Sequence, residues 1–478
     1  MAAEEGVTVK KSNFSEWYPQ VLIKSGFIDY TDVSGALAFR PSAYATWQAI
    51  VEFVDKKFRE VGIENVYFPV FIPEKFLKME SDHFSGFVPE VAWVTEAGDS
   101  KLGERLAVRP TSETIMYASY SKWVRSWRDL PMRYNQWNNV VRWEFKHPTP
   151  FIRNREFLWN EGHTVFATEK EALGERDQVL SIYMKALKDC LALPGILGKK
   201  TDKEKFAGAI ASYSIEMMMP DGWAIQGPDF HFDGQNFAKA FDIKFLDREG
   251  KTDYAWQNTF AISTRVIGIM IATHGDDKGL VLPPKVANIQ IVVVPIYKKE
   301  NQEKVISQAR NISKLLSEYR VRLDDREGYS PGHKFNEWEL RGVPIRIELG
   351  ERDIDAKKIT VVRRDTGEKT ECPETDVKLF VDKLLKDIHD NLYRNAEKFL
   401  NESVHRVLTY EEFKITLEKK KGFMHAPWCG NGSCEDKIKE ETGAKITNMP
   451  FDGQKLTSNK CIYCRKEAKY MANFARSY

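Results

Sequence analysis

No stretch of this chain approaches the ~20 consecutive apolar residues of a membrane-spanning helix. Its most apolar runs, such as Ile289 to Ile296, have the length of a strand. The opening residues, MAAEEGVTVKKSNF, lack a basic stretch leading into an apolar one, so no secretory leader is expected and a cytoplasmic location is. Neither sign of charge is in excess: 71 basic side chains stand against 69 acidic ones, a net +2. That balance excludes a histone-like polycation while leaving room for a local nucleic-acid-binding patch. Fixed-period repeats and low-complexity tracts are missing, which removes solenoids and linker-rich arrays. Neither GxxxxGK[ST] nor a strand-linked GxGxxG occurs, so a nucleotide site must be built another way. The six cysteines in 478 residues are not a disulfide framework for a cytosolic chain of this size.

What is present divides into three regions, 1–283, 284–400 and 401–478. The first mixes amphipathic helices with long, aromatic-rich strands. A helix is predicted over 41–61, where Pro41 suits a first turn and Tyr44, Trp47, Val51, Val54 and Phe58 recur at helical spacing. A second is predicted over 169–190, with Cys190 on its apolar stripe. Segments such as PMRYNQWNNVVRWEF and REFLWNEGHTVFA read as strands of an antiparallel sheet. After Pro283-Pro284 the pattern changes to alternating strands and helices, an α/β region with a mixed sheet and a final helix over 376–393. The third region holds four of the six cysteines; Cys372 stands in a polar segment and is assigned no role.

Two constellations carry chemistry. Cys429-x4-Cys434 and Cys461-x2-Cys464 can close a tetrahedral four-thiolate shell suited to structural Zn²⁺, the alternative being reduced thiols or two adventitious disulfides. Arg142, Glu144, Arg153 and Phe157 would share one face of an antiparallel hairpin, because alternate residues point the same way. Guanidinium grips phosphate, a phenyl face stacks a purine and a carboxylate accepts from an exocyclic amine. On its own, that alternation also fits a solvated cross-strand pair.

Wider context favours the nucleotide reading. Gly62-Ile-Glu-Asn-Val-Tyr-Phe-Pro69 after a long helix resembles motif 1 of the class II aminoacyl-tRNA synthetases. Arg142-x-Glu144 with Arg153-x3-Phe157-x3-Glu161 resembles motif 2, and Ser263-Thr-Arg265-Val-Ile-Gly resembles motif 3. The segments Arg109-Pro-Thr-Ser-Glu113, Trp159-Asn-Glu-Gly-His163, Ala224-Ile-Gln226-Gly and His231, with the Cys-rich tail, are similar to the prolyl-tRNA synthetase family of the archaeal and eukaryotic-like subtype. The 94 residues between Glu161 and Trp256 leave no room for the large editing insertion of many bacterial relatives. One departure stands out: Asp229 occupies a place where relatives commonly carry threonine, and an acid beside phosphate needs a cation or a turned-away side chain.

The resemblance implies an α+β catalytic domain built on an antiparallel sheet (1–283), an α/β anticodon-binding domain (284–400) and a small zinc-binding C-terminal α+β domain (401–478). It implies a proline--tRNA ligase with L-proline, ATP, Mg²⁺ and tRNA(Pro) as partners, acting as a homodimer away from membranes. Arg142 and Arg265 are the implied catalytic residues, and Thr111, Glu113, Arg142, Trp159, Glu161, His163, Phe206 and His231 the proline pocket. Arg142, Glu144, Arg153, Phe157, Gln226, Asp229, Ser263 and Arg265 would meet ATP, and Lys334, Glu339 and Arg346 the anticodon, with Arg363-Arg364 on phosphates. Trp159, His163 and Phe206 equally suit packing roles, and the anticodon candidates an ordinary charged face. The terminal carboxylate of Tyr478 is expected near the active site. The competing reading is a synthetase-like regulator or RNA-binding paralogue without aminoacylation activity; such chains usually lose a phosphate arginine or the second domain, and both are present here.

Overall fold

The computed structural model describes residues 6–83, 90–144, 146–451 and 455–478. An 11-stranded sheet organises the first and third regions. Its middle is antiparallel, in the order Ile196–Lys199, Ala211–Met218, Ala224–Gly234, Trp256–Ala261, Glu156–Phe166 and Met132–Val141. Strand alternation sends apolar residues to one face, where Pro41–Glu60 and Glu169–Lys185 cover them. Trp47, Ile50, Val54 and Phe58 of the first helix and Val179, Leu180 and Tyr183 of the second are buried there. The second helix stops earlier than its apolar stripe suggests: 186–190 widen into a π turn that still buries Leu187 and Cys190. The opposite face of the sheet is lined with Glu, His, Ser and Asn and carries the site.

The second region forms its own five-stranded mixed sheet in the order Val321–Leu323, Ile291–Ile296, Ile345–Gly350, Lys358–Arg363 and Lys369–Pro373. Cys372 is not in a polar loop as its neighbours suggested. It pairs with Ile359 on the outermost strand, buried inside that region's core, because the pleat points it inward between exposed Glu371 and Pro373. The long helix Val377–Glu402 passes the expected end at 393, since Ala396 and Leu400 continue its buried stripe. Leu400 packs with Phe423, Ala475 and Met218. The third region has a core of its own, yet its strands extend the first sheet: Lys445–Pro450 pairs with Ile196–Lys199. No described helix is long and apolar enough to cross a membrane.

Candidate active site

On the polar face of the large sheet lies a cavity of about 660 Å³. Ten of the expected residues line it: Thr111, Glu113, Arg142, Trp159, Glu161, His163, Phe206, Gln226, Asp229 and His231. The strand Glu156–Phe166 supplies Trp159, Glu161 and His163 at every second position, the spacing that puts side chains on one face. Its partner Met132–Val141 places Gln136 opposite Glu161 and Asn138 opposite Trp159.

Glu161 is the best-anchored group. It accepts from the Ser112 amide at 2.9 Å, the Ser112 hydroxyl at 2.5 Å, Thr111 at 3.0 Å, Gln136 at 3.0 Å and Asn138 at 2.8 Å. Ser112 precedes the helix Glu113–Trp123, so the carboxylate sits at a positive helix end. Burial alone would raise its pKa, but nearby His163 and the Ser112 and Asn138 donors outweigh that and hold it well below the ordinary carboxylate range. The single hydroxyl proton of Thr111 is shared between Glu161 and Glu113. One ligand atom each of Glu113, Glu161 and His163 lies within 4.8 Å of the others, a compact receptor for a small cation.

Arg142 is held by a bond from its Nε to the Pro110 carbonyl at 3.0 Å, with its guanidinium 5.0 Å from the Trp159 ring and 5.6 Å from Phe157. Arg265 starts the helix Arg265–His274 and donates to the carbonyls of Ile152 at 3.2 Å and Gln226 at 3.3 Å. Burial lowers its pKa, Asp229 opposes the fall, and the charges of Arg142 and Arg153 add to it, so the three guanidiniums share one electrostatic neighbourhood. Asp229 thus lies within electrostatic reach of Arg265, accepts from Gln226 at 2.8 Å and has His231 Nε2 3.7 Å away. Ser263 pairs with Trp159 across an isolated bridge, and its hydroxyl accepts from the Arg265 amide at 3.3 Å.

Other placements differ from a simple hairpin face. The ladder stops at Val141, Glu144 is exposed beyond it, and Arg153 sits in a tight turn bridged to Thr149. Irregular backbone, rather than the pleat, therefore brings Arg153 in. Lys334 is buried with its ammonium 3.0 Å from the Asp324 carbonyl, which takes it away from any anticodon; the i, i+4 spacing to buried Trp338 puts it on the inward stripe of its helix. Glu339 pairs with Lys278 at 2.9 Å, and Arg346 with Glu348 at 3.0 Å. Arg363 and Arg364 do not offer themselves to phosphate: the first binds Asp365 and the second grips Asp276. Tyr478 donates its amide to Ala224 at 3.0 Å and its hydroxyl to Asp221 at 2.5 Å, two strand positions from Gln226.

The sequence reading missed Lys200, which lines the cavity with its ammonium 2.7 Å from buried Glu216. A lysine in a KKTDKEK run carries no signal of burial; only its place just past the strand Ile196–Lys199, where its amide bonds the Ser212 carbonyl at 2.8 Å, does. It also missed the polar support around Glu161 from Ser112, Gln136 and Asn138.

In the third region Cys429, Cys434, Cys461 and Cys464 are unbridged, with sulfur atoms within 4.8 Å of one another. Cys429 lies 3.7 Å from both Cys434 and Cys464. A tetrahedron of sulfurs ~2.3 Å from a central zinc has edges of about 3.8 Å, so the donor set fits such an ion.

Three family models match the chain: "tRNA synthetase class II core domain (G, H, P, S and T)" over 93–274, "Anticodon binding domain" over 290–386 and "Prolyl-tRNA synthetase, C-terminal" over 410–478. The proline--tRNA ligase of Alkaliphilus oremlandii is 46% identical over 475 residues, covering 99% of this chain and 98% of that protein. The chain belongs to the prolyl-tRNA synthetase family. A second proline--tRNA ligase, from Natranaerobius thermophilus, is 45% identical over the same shares of the two chains. The crystal structure of prolyl-tRNA synthetase from Cryptosporidium parvum complexed with halofuginone and AMPPNP is 45% identical, covers 99% of this chain and all of that one, and superposes with a TM-score of 0.95. For this synthetase the class II core therefore carries the cavity, the anticodon-binding model spans the five-stranded sheet, and the C-terminal model spans the four clustered cysteines.

Proposed function

We propose that the cavity binds L-proline and ATP side by side, joins them into prolyl-adenylate, and passes the prolyl group to the 3′ end of tRNA(Pro). The observation that carries this is the juxtaposition of an anionic pocket floor, Glu161 and Glu113, with Arg142 on the lining of the same cavity and Arg265 on the carbonyl of the cavity-lining Gln226. The floor suits the secondary ammonium of proline, with Thr111 a further acceptor. Trp159, Phe206 and His231 wall the ring, and His163 closes the floor. Arg142 faces both the proline carboxylate and the α-phosphate. Arg153 and Arg265 take the outer phosphates, Gln226 and Ser263 the ribose side, and Phe157 the purine face. Asp229 orients Gln226 and balances Arg265. Glu144, outside the cavity wall, meets the adenine amine from the exposed side.

The proline carboxylate is ionised at neutral pH and attacks the α-phosphorus without help from a base; the bond to the bridging oxygen breaks and diphosphate leaves. Positioning and charge neutralisation are what this chain must supply. Mg²⁺ bound with ATP would supply further charge neutralisation beside Arg142, Arg153 and Arg265. The ribose hydroxyl of the tRNA then attacks the prolyl carbonyl and AMP leaves.

Three functional units follow, 1–283 for chemistry, 284–400 for the anticodon and 401–478 for a structural Zn²⁺ on the four thiols. Glu339 and Arg346 are the candidates for guanine edges. Exposed Tyr44, Tyr67 and Phe71 in and after the helix Pro41–Glu60 support a homodimer through that segment. The site of action is the cytoplasm. A panel of amino acids in ATP–diphosphate exchange tests the core reading: proline alone, or proline foremost, should drive exchange, and no proline-dependent signal would refute it.

A further inference from the structure

The segment 200–206 forms one rim of the cavity, and Phe206 at its end lies stacked on His231, ring centres 4.7 Å apart and planes 20° from parallel. The Phe206 amide donates to the Ser212 hydroxyl at 2.9 Å, and that hydroxyl lies 2.8 Å from His231 Nδ1. Between Lys200 and Phe206 the backbone is turn, with no ladder or helix to fix it. Its outer side makes three polar contacts to the third region, while Lys205 Nζ reaches the Ile210 carbonyl at 3.4 Å. Thr201 donates to Glu435 at 3.1 Å, Lys203 pairs with Asp436, and Lys445 reaches Glu204 at 2.6 Å. Glu435 and Asp436 directly follow Cys434 on the helix Gly432–Thr442, and Lys445 opens the strand by which the third region extends the large sheet. Thr201 and Glu435 are both buried, so theirs is the contact water disturbs least.

We propose that Glu435 is a positioning residue for the amino-acid pocket: through Thr201 the four-cysteine unit holds the 200–206 segment, and with it the Phe206 ring, in place against His231. The proposal rests on the reading of this cavity as the proline site. The third region then serves the first step of catalysis although none of its cysteines touches the pocket. Glu435 acts on the wall that contacts the ring of proline, and not on the arginines that meet ATP. Its loss should therefore fall on one substrate.

The test uses the full chain with its metal. Glu435→Ala and Thr201→Val each remove the buried contact from one side, and Glu435→Gln keeps an acceptor for Thr201. In ATP–diphosphate exchange, Glu435→Ala and Thr201→Val should each raise KM for proline about tenfold, with kcat and KM for ATP within about twofold of the parent. The double variant should be no worse than either single one, and Glu435→Gln should restore most of the affinity. A second arm needs no proline: trypsin cleavage at Lys203 and Lys205 should quicken severalfold in Glu435→Ala and Thr201→Val. Unchanged KM for proline in both folded variants, or unchanged cleavage, would overturn the proposal. A parent chain inert with proline would overturn the function reading instead, while the cleavage arm still decides whether the tether exists.

Discussion

The Glu161 carboxylate rests on the first turn of a helix, 2.9 Å from the Ser112 amide, and the same Ser112 bonds it again through its hydroxyl at 2.5 Å. A charged acceptor surrounded by five donors is fixed in both place and protonation state. Replacing it by an amide turns one acceptor into a donor facing donors. Glu161→Gln should therefore raise KM for proline and lower kcat/KM by roughly a hundredfold, about 3 kcal/mol, with KM for ATP little changed. Steady-state diphosphate exchange measures the split; equal loss for both substrates would contradict it.

Arg142 lies against Trp159 and Phe157 while its Nε holds the Pro110 carbonyl, which leaves its outer nitrogens for anionic oxygen. A lysine cannot reproduce that planar arrangement. Arg142→Lys should cut kcat for exchange by about 10²–10³-fold. Its melting temperature should stay near that of the parent, a comparison calorimetry provides.

His274 ends the helix that Arg265 begins, its Nε2 2.9 Å from the Leu191 carbonyl. Burial brings its pKa from 6.5 down to about 4. Between those values the unfolded chain binds more protons than the folded one, so this stability is full above pH 6.5 and is lost as the pH falls toward 4. The loss should reach at most about 3 kcal/mol. Glu161 adds its own acid lability lower, as the pH falls through the ordinary carboxylate value of 4.5 toward its depressed one. Urea midpoints measured from pH 7 downward should show a shallower decline in His274→Gln than in the parent, and parallel curves would count against this assignment.

Four thiols within 4.8 Å of one another repel as thiolates unless a dication sits among them. The purified chain should release about one Zn²⁺ per protein on treatment with a thiol-modifying reagent, read with a metallochromic dye. Cys434→Ser should lower that stoichiometry and the thermal midpoint together.

A pocket that recognises an ammonium, a carboxylate and an apolar ring has little with which to refuse a smaller amino acid. A missing methylene is worth only ~1–3 kcal/mol. Alanine lacks two of proline's ring carbons, so it should support measurable diphosphate exchange at a kcat/KM about 10²–10⁴-fold below that of proline; no detectable exchange with alanine would contradict this.

Much of the site was legible because it lies on regular elements. Trp159, Glu161 and His163 follow the two-residue period of a strand, and the Arg265 helix announces itself by an apolar run after a polar turn. Arg153 and Glu144 were harder, since a ladder that ends at Val141 gives no period to extrapolate. Lys334 misled because a lysine is ordinarily solvated, whereas here Asp324 and the helix rhythm draw it inside. Cys372 misled for the same reason in reverse, a small thiol hidden on an edge strand among charged neighbours.

The amino-acid sequence by itself determined which residues could do chemistry and the order of the elements that bear them. Periodicity and local bonding act over a few residues, and those are written in the chain. The tertiary structure alone decided that the last region's strands continue the first region's sheet, that Arg364 is spent on Asp276, and that Glu435 meets Thr201 across 234 positions. Such contacts depend on how whole faces pack, and no local pattern encodes which distant partner a buried polar atom will find.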